Sequence, residues 1–315
     1  MTTDAGAASV VIPTFMRKES LPAVIRPVLD DPDTGEVVVV VDGCHDGSYE
    51  LLVEWAHQDD RVKPVFQENT GEGGARQAGL EHATNDVVVF LDDDVIVEPG
   101  VIGRHVAHHA GERHKLVLGY MPTHVDPHRR PGHVPTILYA QDYAQACVEY
   151  ERNPDRILSH LWAGNMSIRR PDALEIGLVP DVDLGYHADM QFGIRCMESG
   201  IKAVFDRDLR AVHVHDRSLR SFGRECVRGG EARAHLCLAF PSLAPEIEPT
   251  SCWPRGLGPF QRFVSSKWVR PVSAPLAMGT SYLAGRAHWW SVETSAARML
   301  RQIEVNYGFA KVMQG

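Results

Sequence analysis

Short apolar runs alternate with helical hydrophobic spacing over the first hundred residues. Continuous runs rich in β-branched residues predict strands at residues 10–13, 36–41, 62–66 and 87–91. Helical spacing predicts helices at 19–29, from an N-cap at Ser48 through Ala56, and at 74–83. Repeated strand–helix–strand units require a mainly parallel sheet with right-handed crossovers, so the chain is predicted to be an α/β protein.

The pattern changes after residue 100. Residues 100–164 are mainly helical and rich in His and Pro, and residues 123–133 have the composition of a mobile loop that closes over a ligand. Strand patterns return at 202–206 and 210–214, and helical patterns cover 190–199 and 218–238. A Pro/Ser-rich connector at 241–248 then predicts a boundary between a domain at 1–240 and a mostly helical C-terminal extension at 241–315.

Composition limits the classes of protein to consider. The 315 residues are 44% hydrophobic and 23% charged, which is enough for a sizeable core. A net charge of −9 argues against nucleic-acid binding over the whole surface. The six cysteines form no C-x-x-C pair, which favours buried free thiols and a cytoplasmic location. Neither a secretory signal nor a run of about 18 apolar residues is present, so we predict no membrane-spanning helix.

An acidic triplet follows the most apolar strand. The run at 87–91 ends in Asp92, Asp93 and Asp94, and carboxylates at the carboxyl end of a buried strand need a cationic partner. In extended backbone Asp92 and Asp94 would point to the same side, so both could bind one Mn²⁺ or Mg²⁺. The alternative is an acidic turn that caps the next helix.

Other polar residues follow the neighbouring strands. Thr14 follows the first strand and Asp42 the second, and Asp42 could accept a hydrogen bond from a nucleobase ring N–H such as that of uracil. An ordinary Asp-Gly turn is the alternative. His213 and His215 lie at the end of a late strand, where one of them could complete a metal shell. The helical spacing of the other histidines, such as His105, His108, His109 and His114, predicts a solvated face.

The glycine-rich loop at residues 70–76 indicates whether the chain could bind a dinucleotide cofactor. A dinucleotide fingerprint that begins at Gly71 requires Gly or Ala at the position of Arg76, because helix and strand pack closely there. The loop therefore argues against a nicotinamide cofactor. Arg76 instead places a guanidinium at a helix N-terminus, which suits a base carbonyl or a phosphate.

Taken together, these motifs resemble the family 2 glycosyltransferases of the GT-A fold. The resemblance covers roughly residues 8–235, and its ordered motifs are VVIPT at 10–14, VVVDG at 39–43, DGS at 46–48, NTG at 69–71, ARQAG at 75–79, FLDDD at 90–94, PG at 99–100, GNMSIRR at 164–170, Asp189, GIR at 193–195 and HVH at 213–215. It implies a Rossmann-like sheet flanked by helices. It also implies that Thr14, Asp42 and Arg76 contact the nucleobase, that Asp92 and Asp94 hold the metal on the diphosphate, and that Asp189 is the catalytic base.

Two positions depart from the family pattern. Ala188 precedes Asp189 where the family commonly has Glu, and Val41 precedes Asp42 where it commonly has Asp. Both leave the matched carboxylate in place. Asp189 also lies in the first turn of the predicted helix, where the helix dipole is expected to keep it ionised; a simple N-cap is the alternative role.

The function expected is a metal-dependent, inverting glycosyltransferase. It would move a sugar from a UDP or dTDP donor, with GDP less favoured, to a hydroxyl-bearing small molecule, glycan or lipid-linked acceptor. Asp93 is grouped with the nucleotide-binding residues, and Trp162, Gly164 and Asn165 with the sugar or acceptor contacts; a core role is the alternative for Trp162. A nucleotidyltransferase and a non-catalytic carbohydrate-binding protein are the rival functions.

The tail has an unusual charge distribution. No acidic residue lies between Glu248 and Glu293, although the whole chain is acidic. The cations and aromatics of this stretch are Arg255, Arg262, Lys267, Arg270, Arg286, Trp253, Phe260, Phe263, Trp268, Tyr282, Trp289 and Trp290. We expect a basic aromatic surface at 253–290 that meets an anionic membrane peripherally, or an acceptor with a phosphate or large apolar group. The alternative is that the aromatics pack the tail onto the catalytic domain.

Overall fold

The computed structural model describes residues 6–111, 113–179, 187–249 and 258–314. The chain divides into two compact units. Of the described residues, the first unit contains 6–111, 113–124, 143–179 and 188–214, and the second contains 125–142, 187, 215–249 and 258–314. The domain boundary near residue 240 stays a prediction. Trp253 and Arg255 lie outside the described residues.

The first unit is built on a mixed eight-stranded sheet. Its strands are β1 (Ala8–Thr14), β2 (Thr34–Asp42), β3 (Val62–Gln67), β4 (Val87–Leu91), β5 (Val95–Val97), β6 (Lys115–Tyr120), β7 (Asn165–Arg169) and β8 (Lys202–His213). They lie in the order β3-β2-β1-β4-β7-β6-β8-β5. Strands β1 to β4 are parallel, β7 is antiparallel to β4 and β6, and β5 is antiparallel to β8.

Helices follow most of the strands. They are α1 (Leu21–Leu29), α2 (Ser48–Ala56), α3 (Gly71–His82), α4 (Val101–His108), α5 (Val134–Arg152), α6 (Arg170–Ile176), α7 (Ala188–Glu198), α8 (Leu219–Ala239), α9 (Ala244–Ile247), α10 (Gly258–Val264), α11 (Arg270–Arg286) and α12 (Trp290–Met313). The predicted α/β architecture with a helical C-terminal region is confirmed. In the described residues, no helix is both long enough and apolar enough to cross a membrane.

Three details of the predicted elements are wrong. The runs at 202–206 and 210–214 form one continuous strand, β8, which a bulge in the pairing with β6 accommodates. Strands β5, β6 and β7 were not predicted, since they are short or lie in mixed-polarity sequence. Ser48 is the first residue of α2, and its N-cap is Gly47, whose φ of 87° favours glycine.

Helix α3 packs closely on the sheet because it carries small residues on its buried face. A Cβ added at Gly79 would lie 2.2 Å from Val11 Cγ1, so only glycine allows this approach. Ala75 and Leu80 of the same helix are fully buried. This contact fixes α3, and with it Arg76, above the carboxyl end of the parallel strands.

Two histidines of α4 belong to the core. His105 and His109 are fully buried, so the prediction of a solvated face is wrong for both. His105 contacts Asn165 Oδ1 at 2.9 Å and Ser167 Oγ at 2.8 Å, and His109 Nε2 lies 2.9 Å from the same hydroxyl. Burial lowers the pKa of His105 to about 4 and that of His109 to about 3. Both rings are therefore neutral at pH 7.

The second unit is a helical assembly with close helix contacts. A Cβ added at Gly230 of α8 would lie 2.1 Å from the carbonyl oxygen of Val305, and one at Gly308 of α12 would lie 2.1 Å from that of Val227. These glycines let α8 and α12 approach each other closely, which is the largest helix–helix contact of the unit. The core of the unit combines the small side chains of Ala274, Ala277 and Ala297 with large ones such as Phe222 and Leu300.

The loop at residues 125–133 is held in place by hydrogen bonds within the second unit. The buried carboxylate of Glu293 accepts hydrogen bonds from Arg129 Nη2 at 2.7 Å and from the Gly132 amide at 3.2 Å. The Arg129 guanidinium also lies 4.8 Å from the Trp290 ring centroid. These contacts therefore argue against the mobility predicted for residues 123–133.

The buried histidines predict a specific loss of stability in acid. The unfolded chain binds a proton at each ring near its ordinary pKa, whereas the folded chain does not, so stability present above about pH 6.5 falls as pH drops towards the folded values. His109→Gln should remove roughly 2 kcal/mol of the loss between about pH 7.5 and pH 5. Urea unfolding at both pH values measures this, with the exposed His57→Gln as control. If the free energy of unfolding fell equally with pH in the unchanged protein and in both variants, His109 would not be a buried neutral ring.

Candidate active site

The acidic triplet forms a turn at the end of β4. The Val95 amide donates to the Asp92 carbonyl at 3.1 Å, so residues 92–94 are not extended. The expectation that Asp92 and Asp94 point to one side because of strand geometry is therefore wrong. Each of the three carboxylates instead has its own partner in the first unit.

Asp94 is paired with His213. Asp94 Oδ1 lies 3.1 Å from His213 Nε2, and both side chains are buried. The antiparallel pairing of β5 with β8 brings them together, since Val95 is opposite His213 and the Val214 amide donates to the Asp94 carbonyl at 2.8 Å. His213 Nδ1 lies 3.3 Å from Thr123 Oγ1, which fixes the ring orientation, as the second nitrogen of a metal-binding histidine usually does.

Arg17 also reaches this turn. Its Nη2 lies 3.2 Å from Asp94 Oδ2, and its Nε lies 3.7 Å from Asp93 Oδ1. The guanidinium is about two-fifths exposed, so it lies at the open side of the carboxylates. Arg17 was not predicted as a site residue, although its position three residues after Thr14, in the loop that follows β1, indicated that it could reach the site.

His215 belongs to the second unit and begins the segment of it that follows β8. In that unit its ring packs 5.5 Å from the Tyr139 ring, and its Nε2 accepts a hydrogen bond from Arg217. The guanidinium of Arg217 lies 4.5 Å from the centroid of the same tyrosine ring. An imidazole that accepts at Nε2 carries its proton on Nδ1 when neutral.

Arg76 is buried and doubly paired. Its Nη2 lies 2.6 Å from Asp92 Oδ1 and 2.7 Å from Glu72 Oε1, and only 3% of the residue is exposed. The two carboxylates raise the pKa of Arg76, so it stays charged in spite of its burial. Its Nε is buried and has no hydrogen-bond partner among the residues described. Glu72 was not singled out from the sequence, although it lies one helical turn before Arg76.

Thr14 contacts the acidic turn. Its hydroxyl donates to Asp93 Oδ2 at 2.8 Å, and Thr14 itself is buried. Desolvation raises the pKa of Asp93 to about 6, against the lowering effect of this hydrogen bond and of Arg17. The negative charges of Asp92 and Asp94 raise it further. The turn thus carries a repulsion that an added cation would relieve.

Asp42 anchors the start of α3. Its Oδ1 accepts from the Thr70 amide at 2.9 Å and from Gln67 Nε2 at 2.7 Å, and its Oδ2 accepts from the Gly71 amide at 2.9 Å. Because the first amides of a helix lack partners within the helix, this carboxylate acts as a cap supplied by another strand. A carboxylate has about four acceptor positions, so Asp42 can still accept a further hydrogen bond.

Asp189 lies in the first turn of α7, as predicted. Desolvation and the charge of Glu72 raise its pKa to about 7, against the lowering effects of Arg76 and of the Met190 and Ala163 amides. The helix dipole, which was expected to keep Asp189 ionised, is thus opposed by desolvation. Burial outweighs the dipole and gives a carboxyl group that exchanges its proton near pH 7.

The three predicted sugar contacts have different surroundings. Trp162 is partly exposed and meets the Tyr143 ring edge-on at 5.3 Å, so one part of it packs on the core. Gly164 backs the acidic turn, because a Cβ there would lie 2.5 Å from Asp92 Oδ2. Asn165 is fully buried and donates to the Leu209 carbonyl at 3.0 Å, so this structure offers no surface through which it could contact a sugar.

Comparison with known proteins identifies a family. The sequence model described as "Glycosyl transferase family 2" matches residues 9–177. An uncharacterised glycosyltransferase of Nostoc sp. is 38% identical over 100 residues, which is 31% of each chain. The undecaprenyl-phosphate 4-deoxy-4-formamido-L-arabinose transferase of Aeromonas hydrophila is 37% identical over 110 residues, 33% of this chain and 34% of the relative. The matched part therefore spans about a third of the length of these relatives.

Solved structures show the same fold. A mannosyltransferase from Pyrobaculum calidifontis, in complex with GDP-Man and Mn²⁺, has a TM-score of 0.57 at 17% identity and covers 97% of this chain and 88% of its own. TarS 1–349 of S. aureus has a TM-score of 0.50 at 16% identity and covers 96% of this chain and 91% of its own. The sheet and its flanking helices are thus those of GT-A glycosyltransferases.

The Asp42 contacts predict a structural cost for its removal. Asp42→Ala should lower the free energy of unfolding by about 1–3 kcal/mol, because the Thr70 and Gly71 amides lose a buried acceptor. Asp42→Asn should cost less, since its single carbonyl oxygen can still accept. Urea unfolding measures both variants. Unchanged stability of the alanine variant would show that the anchor at the start of α3 is unimportant.

Proposed function

Because the chain belongs to glycosyl transferase family 2, we propose that it transfers a sugar from a nucleotide-diphosphate donor to a hydroxyl group, with inversion. The observation that carries this proposal is the carboxyl group of Asp189, whose pKa of about 7 is set partly by Glu72 and Arg76. A proton acceptor tuned to neutral pH thus senses the charges of the loop that is proposed to hold the nucleotide.

We propose that Asp94 and His213 hold a Mn²⁺ or Mg²⁺ ion, and we retain His215 as a further candidate ligand because of its place in the sequence two residues after His213. Carboxylate oxygen and neutral imidazole suit such a cation, and the Pyrobaculum neighbour contains Mn²⁺. Asp92, also predicted as a ligand, is paired with Arg76 and would have to leave it to bind the ion. The ion would neutralise the negative charge that develops on the departing diphosphate.

The donor nucleotide is proposed to lie along Thr14, Asp42, Arg76 and Asp93. The buried Arg76 Nε, which has no partner among the described residues, can donate to a base carbonyl or a phosphate oxygen. A carboxylate such as Asp42 accepts from the ring N–H of uracil and thymine alike, so UDP and dTDP donors are favoured together. The Pyrobaculum neighbour holds GDP-mannose, so GDP is retained as a third candidate donor.

The proposed reaction is a single displacement. The acceptor oxygen attacks the anomeric carbon, its proton passes to an Asp189 carboxylate oxygen, and the bond from the anomeric carbon to the diphosphate oxygen breaks. The nucleoside diphosphate leaves with the bonding electron pair. Attack from the side opposite the leaving group requires inversion, with Trp162 proposed as the face on which the acceptor or sugar stacks.

We also propose a cytoplasmic enzyme that meets a membrane peripherally through the tail at 253–290. The Aeromonas relative is named for an undecaprenyl-phosphate acceptor, which would make a lipid-linked acceptor a suitable substrate class here. In the described part of this tail, Phe263, Trp268 and Trp289 are largely exposed, which does not favour the alternative that these aromatics pack onto the catalytic domain. Exposed cations beside them would be attracted to anionic lipids.

Donor hydrolysis separates this function from its rivals. A glycosyltransferase slowly releases nucleoside diphosphate and free sugar from its donor in the presence of Mn²⁺. A nucleotidyltransferase would instead cleave within the diphosphate, and a carbohydrate-binding protein would release nothing. A panel of UDP-, dTDP- and GDP-sugars therefore tests the reaction class and the nucleotide together.

The metal proposal predicts the effect of one carboxylate. Asp94→Asn should lower activity by about 10- to 100-fold or more, because it removes a charged ligand while keeping the side-chain shape. EDTA should have the same effect on the unchanged protein, and added Mn²⁺ should reverse it. Nucleoside diphosphate release measures both, with the exposed Asp60→Asn as control. Full activity in metal-free buffer would refute the metal site.

The base proposal predicts both a rate and a pH profile. Asp189→Asn should lower kcat by about 10²- to 10⁴-fold and leave nucleotide affinity nearly unchanged, since Asn keeps the shape but cannot accept the proton. In the unchanged enzyme, Asp189 is protonated below its pKa, so kcat/KM should rise as the pH rises through about 7. Glu198→Gln, an exposed change on the same helix, is the control. A product of retained configuration would exclude this mechanism.

A further inference from the structure

The second unit contains an open groove that the proposed reaction does not use. It lies between α8 and α11, is closed at one end by α12, and has a volume of about 480 Å³. Its basic side is formed by Arg220, Arg224 and Arg228 of α8, and its apolar side includes Ala274, Met278 and Leu300. The groove thus combines a line of cations with an apolar wall.

The three arginines carry uncompensated charge. They are spaced four residues apart on one face of α8, all three are exposed, and none forms an ion pair within the described part of the chain. Like charges at this spacing repel each other and destabilise a helix. An anion bound between neighbouring guanidinium groups would relieve that repulsion and gain charge-assisted hydrogen bonds.

The nearby carboxylates already have other partners. Glu225 lies 2.7 Å from Arg217, Glu231 lies 2.6 Å from Lys311, and Glu304 lies 2.5 Å from Arg270. Glu231 and Glu304 line the groove, but their charges are offset by Lys311 and Arg270. The three arginines of α8 therefore leave an excess of positive charge in the lining of the groove.

The same helix α11 also presents a row of apolar side chains to solvent, outside the lining of the groove. Val272 and Leu276 are each 68% exposed and Leu283 is 65% exposed, at spacings that place them on one side of the helix. Trp268, just before α11, is 81% exposed and lies 5.3 Å from the Lys267 ammonium group. An exposed apolar stripe flanked by cations is the pattern of a helix that lies in a membrane interface.

We propose that this groove binds the phosphate headgroup of an anionic membrane lipid. Arg220, Arg224 and Arg228 hold the phosphate oxygens, since guanidinium groups match phosphate geometry. The wall at Ala274 and Met278 contacts the first methylene groups of the lipid chain. A free phosphate would leave this wall in water, which is why the groove fits a phosphate with an apolar tail. The inference rests on the proposed membrane contact of the tail, and not on sugar transfer.

Vesicle binding with charge-matched variants tests the proposal. The full chain is sedimented with vesicles of phosphatidylcholine alone and with added phosphatidic acid, at low and high salt. The variant R224Q/R228Q loses two cations in the groove, and R262Q/R286Q loses two exposed cations of the tail outside it. Calorimetry with soluble dihexanoyl phosphatidic acid and with inorganic phosphate measures the groove without a membrane.

The proposal expects selective loss in the groove variant. R224Q/R228Q should weaken binding of dihexanoyl phosphatidic acid by at least about tenfold, whereas R262Q/R286Q should change it by less than about twofold. Equal weakening in both variants would overturn the site in favour of general surface charge. Inorganic phosphate binding as tightly as the lipid would overturn the lipid assignment, and so would absence of lipid binding in the unchanged protein.

Folding and sugar transfer are checked separately. Unfolding temperatures show whether R224Q/R228Q is folded, and single variants at the same positions replace it if it is not. Donor hydrolysis should be unchanged in both double variants, because none of these arginines belongs to the proposed catalytic site. Normal hydrolysis without lipid binding would refute the groove alone, whereas lipid binding without hydrolysis would refute the proposed reaction alone.

Discussion

The pairing of β5 with β8 is the interaction on which the candidate active site depends. This short antiparallel ladder places Val95 opposite His213, and so brings the acidic turn after β4 to an imidazole more than a hundred residues later in the chain. Without it, Asp94 would be an exposed carboxylate at the end of a strand. With it, Asp94 and His213 form a buried pair whose ring orientation Thr123 fixes. Backbone hydrogen bonding thus preorganises two side chains of the proposed metal site.

Burial then determines the charges in the rest of the site. Arg76 remains charged because Asp92 and Glu72 offset the cost of burying it. For Asp189, desolvation and the charge of Glu72 outweigh the lowering effect of Arg76, so its pKa rises to about 7. Both pKa values are raised, which keeps Arg76 of α3 a permanent cation and makes Asp189 of α7 a proton acceptor near neutral pH. That difference in charge is what links the proposed nucleotide contact to the proposed catalytic base.

The second unit follows a different physical rule. Its helices approach closely through Gly230 and Gly308, and its buried acids Glu293 and Glu304 are paired with Arg129 and Arg270. This arrangement leaves large apolar side chains of α11 and a line of arginines of α8 on the surface. Large apolar side chains that remain exposed in this way are suited to contact another surface. The membrane contact and the lipid site are proposals that arise from this exposed surface.

The sequence by itself determined the first four strands of the parallel part of the sheet and the position of the acidic triplet after β4, because these depend on local apolar runs and on short-range alternation with helices. It also indicated the family, since ordered motifs survive in the linear chain. Only the tertiary structure decided which partner each carboxylate has. Thr14 meets Asp93, Arg76 meets Asp92 and His105 meets Asn165 through strand order and register, and these depend on long-range packing that local periodicity does not encode. The same packing decided the pKa of Asp189, because desolvation is a property of the surrounding fold and not of the residue or its neighbours in sequence.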